Sequence, residues 1–409
     1  MDGAFHASLS PSAPTKVSGD EKAFFDLVGP ALAGESVTFR HRERCYAYGP
    51  PSDDAVVVVI ENPEFFRRVL TQGNLGLGES YMEHQFEVEH GTLERFLMAL
   101  ARSDIEQAVR DNPRQVARLA SIRVKNLFRG RMANVQSHYD LGEDLFAAFL
   151  DDSLAYSCGY QRSSSDTLAE LQVNKFDRIC QKLSLVPGER LLDIGCGFGG
   201  LLIHAARHYG VQCVGITISR HHHRRGREIV EAQGLSGQID IRFATHEQIP
   251  EQFDKIVSVG MMEHLSRRDY PVYIRNIKRS LTEGGAGLIH CIGCNNFRNR
   301  HDPFIQKYIF PGSGQPRLSE MALFLEKNAL SILDVENMAQ HYAPTLRGWQ
   351  ENFANNYHRL DHRKYDDRFR RMWEYYLACG IAAATASDSA LYQVLFMNSR
   401  RIERFYKRV

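Results

Sequence analysis

The chain has 409 residues, a formal net charge of +1 and 8 cysteines. That length favours two domains over one, and the balanced charge excludes a strong overall field for nucleic acid or another highly charged partner. The longest apolar runs, such as Ala55 to Ile60, have strand length and fall far short of a bilayer span, so any membrane contact is expected to be peripheral.

Residues 1–20 are rich in Ser, Pro, Gly and Ala without apolar periodicity, which reads as a mobile tail. A small α+β module is predicted over 21–111. It has strands around Ser36 to Tyr48 and Ala55 to Glu61, then helices holding Phe65 to Leu70 and Leu93 to Ala101. The stretch 112–135 reads as a basic linker. Arg114, Arg118, Arg123, Lys125, Arg129 and Arg131 alternate there with Val116, Leu119, Ile122 and Leu127. Such a face suits anionic lipid headgroups or simply a solvated linker, and both readings stay open.

A second domain is predicted over 136–409. Its core strands are Arg190 to Ile194, Gln212 to Ile218, Ile239 to Phe243, Lys255 to Val259 and Ala286 to Ile292, with helices between several of them. Ser331 to Val335 and Leu391 to Met397 can complete a doubly wound, Rossmann-like, seven-stranded sheet. Helical inserts are expected between Phe304 and Asn328 and between Thr345 and Ala384. The cysteines are scattered through these elements and no secretory leader is read, which points to reduced thiols in a cytoplasmic enzyme.

The most telling segment is Leu191-Leu192-Asp193-Ile194-Gly195-Cys196-Gly197-Phe198-Gly199-Gly200. It reads as a buried strand, a glycine turn and a helix start, with Gly195, Gly197 and Gly199 leaving no side chain between backbone and ligand. A dinucleotide site would carry its acid about twenty residues on, at the end of the next strand. Here that strand ends in Thr217-Ile218, and the acid, Asp193, lies within the motif itself. The pattern resembles the S-adenosylmethionine loop of class I methyltransferases.

Several more segments narrow the resemblance. They are Gly76-Leu77-Gly78-Glu79-Ser80-Tyr81-Met82, Ser137-His138-Tyr139-Asp140-Leu141-Gly142, Ala155 to Tyr160, Val257 to His264, Leu288 to Gly293 and Tyr308 to Pro311. In order and spacing they resemble the cyclopropane fatty acid synthase family, which includes the mycolic acid methyltransferases. With the front module present, the chain is more similar to the full-length phospholipid synthases than to the single-domain mycolate enzymes.

The resemblance implies a cofactor pocket from Tyr139, Tyr156, Ser157, Asp193, Gly195, Cys196, Gly197, Gly199, Thr217, Ile218, His222, His246 and Glu247. It implies a bicarbonate or carbonate ion held by Cys158, Glu263, His290, Ile292 and Tyr342, with Glu263 orienting His290. It also implies an activity, the transfer of a methylene group to the cis double bond of unsaturated phospholipid acyl chains. The enzyme is expected as a homodimer on the inner face of the membrane, with the front module aiding lipid engagement or dimerisation. Methyl branching, methylation of another lipid or an amine, and noncatalytic lipid binding are the rival readings.

The chemistry explains this residue choice. An alkene is a weak nucleophile, so the methyl donor must be held close and aligned in a dry site. Positive charge then develops on carbon and needs aromatic faces or an anion nearby, and ring closure needs a base for one methyl proton. Two tempting features do not join the site. His221-His222-His223 opens a helix, whose adjacent side chains diverge, and Cys291-Ile292-Gly293-Cys294 lacks a second pair, so no metal is expected. His222 stands where the family commonly has Gln, and His246 where the mycolate enzymes have Trp.

Overall fold

The computed structural model describes residues 17–103, 105, 142–295, 302–386 and 389–399. Residues 1–16 of the tail predicted over 1–20, the basic segment 112–135 and Tyr139 lie outside the described residues, and the end of that tail is corrected: Ser18 caps a helix that already holds Gly19 and Asp20. The chain divides into two compact units, Met1–Gly91 with Ser103–Met132, and Thr92–Arg102 with Ala133–Val409.

In the first unit, helix α1 (Gly19–Ala31) begins at Ser18, whose hydroxyl accepts from the Glu21 amide while the Glu21 carboxylate accepts from the Ser18 amide. Such a reciprocal cap satisfies two amides that the first helical turn leaves unpaired. Strands β1 (Val37–His41), β2 (Arg44–Tyr48), β3 (Val56–Ile60) and β4 (Phe86–His90) form a sheet in the order β2-β1-β3-β4. The expected hairpin and third strand are present, and β4 is an addition. Helices α2 (Glu64–Gln72) and α3 (Asn74–Met82) follow β3. Phe24, Phe39, Phe65, Phe66 and Phe86 are buried, with several of their rings meeting edge to face.

The glycine-rich stretch between the expected helices is itself helical, as α3. Gly73, at φ 60°, breaks the chain direction between α2 and α3. A Cβ on Gly76 would lie 2.3 Å from the Arg68 carbonyl oxygen, so the missing side chain is what lets the two helices approach. Helix α4 (Leu93–Arg102), expected in the front module, belongs instead to the second unit. There its Glu94 pairs with Arg347 at 2.6 Å.

The second unit is built on a seven-stranded sheet. Its strands are β5 (Arg190–Ile194), β6 (Gln212–Thr217), β7 (Ile239–Phe243), β8 (Phe253–Val259), β9 (Leu281–Cys294), β10 (Ser331–Asn337) and β11 (Ser389–Met397). The order is β10-β11-β9-β8-β5-β6-β7, with β5 to β9 parallel and β11 antiparallel to both β9 and β10. Helices α5 (Glu143–Phe149), α6 (Leu168–Lys182), α7 (Gly200–Tyr209), α8 (Arg220–Ala232) and α9 (Tyr270–Ser280) accompany the parallel strands. The expected inserts fold as α10 (Pro303–Tyr308), α11 (Leu318–Lys327), α12 (Tyr342–Asn356) and α13 (Asp367–Ala386).

Apolar layers line both faces of the sheet. One holds Ile194, Ile256, Tyr273 and Phe396, and the other Ile179, Leu191, Leu202 and Val257. Each such fully buried side chain contributes about 1.5–3 kcal/mol. Strand order reverses between β5 and β8, and in open α/β sheets the crevice outside the carboxyl ends at that point is where ligands bind.

Candidate active site

At the end of β5 the chain enters the glycine turn, with Gly195, Gly197 and Gly199 all at positive φ, 85°, 56° and 89°. The amides of Gly195 and Cys196 both donate to the Ile216 carbonyl, tying the turn to β6. Asp193 is buried beneath the turn, and its Oδ1 has no hydrogen-bond partner among the described residues. Burial pushes its carboxyl up to about 7 against the opposing pull of Lys175. At the end of β6, Thr217 Oγ1 accepts from the Ser219 amide, and the apolar Ile218 is 74 % exposed. His222 packs on Phe198, ring centroids 4.5 Å apart. Past β7, His246 Nδ1 meets Asn276 Nδ2 at 2.9 Å, and Glu247 lies exposed beside it.

A second group converges where β8 and β9 end. Cys158, Glu263, His290, Ile292 and Tyr342 line one cavity of about 60 Å³, together with Tyr156 and Ser157. A single water needs about 10–15 Å³ by this measure, so a small polyatomic ion fits. Glu263 sits in a short 3₁₀ turn after β8, and its Oε1 accepts from the Ile292 amide at 3.3 Å while Oε2 has no partner among the described residues. Burial raises its carboxyl to about 7. His290 is buried on β9, and its Nε2 has no partner among the described residues. Burial, reinforced by Lys175 and Lys182, lowers its imidazole to about 3, so it is neutral. The Cys158 thiol is pushed up to about 12 by burial and donates to the Gly159 carbonyl at 3.1 Å. Burial also holds the Tyr342 phenol well above its ordinary value.

His290 is oriented by a residue that sequence reasoning missed. Gln393, directly opposite it in the β9–β11 register, meets Nδ1 through Nε2 at 3.2 Å. Among the described residues no hydrogen bond joins Glu263 to His290, which corrects the expected orienting role: Glu263 Oε1 takes the Ile292 amide instead. With Gln393 donating to Nδ1, the imidazole proton resides on Nε2. In the sequence Gln393 shows only as an amide in the otherwise apolar run Leu391 to Met397, which marks a polar group in a strand without naming its partner.

Lys175 was missed as well, although it interrupts the apolar stripe of α6 between Leu171 and Ile179. Aromatic rings complete the enclosure. Tyr156 bonds Tyr376 hydroxyl to hydroxyl at 2.8 Å and packs near Trp349 and Phe310. The His264 ring meets Phe310 edge to face.

A doubly wound sheet with a buried acid, a glycine turn and a crevice at the switch point defines a class I, S-adenosylmethionine-dependent methyltransferase. Residues 128–394 match the family described as mycolic acid cyclopropane synthetase, and the chain belongs to that family. It is 38 % identical over 346 residues to the cyclopropane-fatty-acyl-phospholipid synthase of Escherichia coli strain K12, covering 84 % of this chain and 88 % of the relative. It is 33 % identical over 369 residues to tuberculostearic acid methyltransferase UfaA1 of Mycobacterium tuberculosis, covering 85 % and 84 %. The solved mycolic acid cyclopropane synthase CmaA1, complexed with SAH and CTAB, superposes with a TM-score of 0.58 at 30 % identity, covering 65 % of this chain and 97 % of that one.

Proposed function

We propose that the enzyme converts the cis double bond of unsaturated phospholipid acyl chains to a cyclopropane ring, with bicarbonate seated among Cys158, Glu263, His290, Ile292 and Tyr342. The observation that carries this reading is the pair of unpartnered buried atoms, His290 Nε2 and Glu263 Oε2, on the cavity those residues share. A buried polar atom without a partner costs about 1–3 kcal/mol, a cost that a bound ion with donor and acceptor oxygens removes. The residues fit such an ion: an imidazole N–H and a phenol can donate, and a carboxyl near its midpoint at neutral pH can share a proton, while the Cys158 thiol, which donates to the Gly159 carbonyl, lines the cavity beside them.

S-adenosylmethionine supplies the methyl group and bicarbonate the base, so that the alkene gains CH2 overall while S-adenosylhomocysteine and a proton are released. The chain's own groups do the rest. The glycine turn, Asp193, Thr217, Ile218, His222, His246 and Glu247 are proposed to hold the cofactor, with Tyr156 and Ser157 closing it toward the cavity. Tyr156 and Phe310 line the cavity, where aromatic rings can stabilise charge developing on carbon, and Trp349 packs against Tyr156. His290, held by Gln393, keeps its N–H aimed at one place.

Support for the lipid substrate comes from the relatives' names. Among the described residues no helix is long and apolar enough to cross a membrane; work from the cytoplasmic surface of the bilayer is part of the same proposal and rests on the family resemblance. The homodimer rests on the family resemblance, and sedimentation velocity tests it. The tuberculostearic acid relative supports methyl branching as a second reading. Turnover on dioleoylphosphatidylglycerol vesicles with and without bicarbonate decides. The expected product gains one CH2, shows cyclopropane proton signals and forms faster with bicarbonate; a methyl branch, or no product with S-adenosylmethionine present, overturns the ring-forming reading.

A further inference from the structure

Lys175 is a buried cation that the ligand set above leaves without a task. Its side chain lies on α6 in the packed interior, 1 % exposed. Its ammonium donates to Ser157 Oγ at 2.7 Å, and Ser157 lines the cavity. Among the described residues no carboxylate comes within ion-pair distance of it. Asp193 and Asp151 act on it from further away, and burial raises both of those carboxyls. Lys182, the other cation felt by His290, is already answered by Glu336 at 2.6 Å and Asp334 at 3.7 Å.

The cavity has the converse deficit. Cys158, His290 and Tyr342, which line it, are neutral, and Glu263 brings no positive charge. An anion taken from water into such a site is expensive unless a cation answers it. Lys175 acts electrostatically on both Cys158 and His290, two members of the ligand set that line the same cavity.

We propose that Lys175 is the fixed positive charge that lets this cavity hold its anion, acting through Ser157 and across Cys158 and His290 as a positioning residue. This rests on the bicarbonate reading above and adds to it the group that makes an anion, rather than a neutral ligand, the preferred occupant. A buried ammonium that burial lowers only to about 8 stays largely protonated at pH 7, as the role requires.

The test uses the full chain and Lys175→Met, which keeps the length of the side chain without its charge, beside Lys175→Arg. Bicarbonate is titrated calorimetrically into protein saturated with S-adenosylhomocysteine, and half-saturating bicarbonate is read from turnover on dioleoylphosphatidylglycerol vesicles. Lys175→Met is expected to weaken bicarbonate about tenfold or more by both readouts while S-adenosylhomocysteine affinity changes less than about threefold, and Lys175→Arg to recover most of the loss. Unchanged bicarbonate affinity in Lys175→Met, or a loss confined to S-adenosylhomocysteine, overturns the proposal. Should Lys175→Met not fold, Lys175→Gln, which also removes the charge but keeps a donor for Ser157 Oγ, is measured in the same way, and a wild-type bicarbonate response there overturns the proposal. A wild-type enzyme indifferent to bicarbonate sinks the anion reading itself, and Lys175's role with it; a responsive wild type with an equally responsive Lys175→Met sinks this proposal alone.

Discussion

His290 is useful only while its free nitrogen carries the right proton, and that depends on what holds the other nitrogen. Gln393 does so from the neighbouring strand, fully buried and in direct register. Outer partners fix tautomer and ring orientation; for histidines that hold a metal, losing one costs about 10–100-fold in activity, and the lower end of that range is taken for this metal-free imidazole. Gln393→Leu is therefore expected to lower kcat on unsaturated vesicles by about tenfold while S-adenosylhomocysteine affinity, measured by calorimetry, stays at the wild-type value. An unchanged kcat would mean that packing alone orients the ring. The residues facing the cavity could be named from the sequence because each belongs to a short segment with a family pattern. Gln393 and Lys175 could not, because what makes them matter is a cross-strand pairing and a buried helix face, and neither is visible until β11 lies beside β9 and α6 turns its stripe inward.

At the scale of elements, the parallel strands were the most legible part. Buried on both faces, they read as mostly apolar runs such as Ile256-Val257-Ser258-Val259. The front unit was harder. Strand β4, Phe86-Glu87-Val88-Glu89-His90, alternates for only five residues, and α3 carries two glycines, which ordinarily argue against a helix by about 1 kcal/mol each. Its helicity is a packing result. Gly76 lies against the Arg68 carbonyl so closely that a Cβ would sit at 2.3 Å. Gly76→Ala should raise intrinsic helix propensity yet force α2 and α3 apart, and the clash wins, since overpacking costs about 1–3 kcal/mol. The expected outcome is a lower denaturation midpoint by urea titration; a gain in stability would show that the helices part at little cost. The opposite lesson comes from α4. Its apolar positions Phe96, Leu97 and Ala99 marked it as an amphipathic helix, but periodicity does not say which core the stripe faces, and the structure assigns it to the second unit.

For the molecule as a whole, the site is a place where stability is given up, and its titratable groups say at which pH. Glu263 is raised from 4.5 to about 7 by burial. The folded state therefore holds its proton more tightly than the unfolded chain does between those values. Stability from this group is fully present below 4.5 and is lost as pH rises through 7, a loss on the order of 3 kcal/mol at one pKa unit per 1.4 kcal/mol. His290 works in the other direction. Lowered from 6.5 to about 3, it leaves the unfolded chain binding the extra proton, so stability is lost as pH falls from 6.5 toward 3. Glu263→Gln keeps an acceptor for the Ile292 amide and cannot ionise. The variant should melt within a degree or so of wild type at pH 5 and several degrees above it at pH 8, with the acid limb set by His290 unmoved. The same variant should lose methylene transfer, because its amide cannot share a proton with an ion in the cavity. Scanning calorimetry at the two pH values, paired with vesicle turnover, checks both halves. Equal melting points at pH 8 would mean that the Glu263 carboxylate ionises inside the fold without penalty, and the electrostatic account of the cavity would have to be rebuilt from that point.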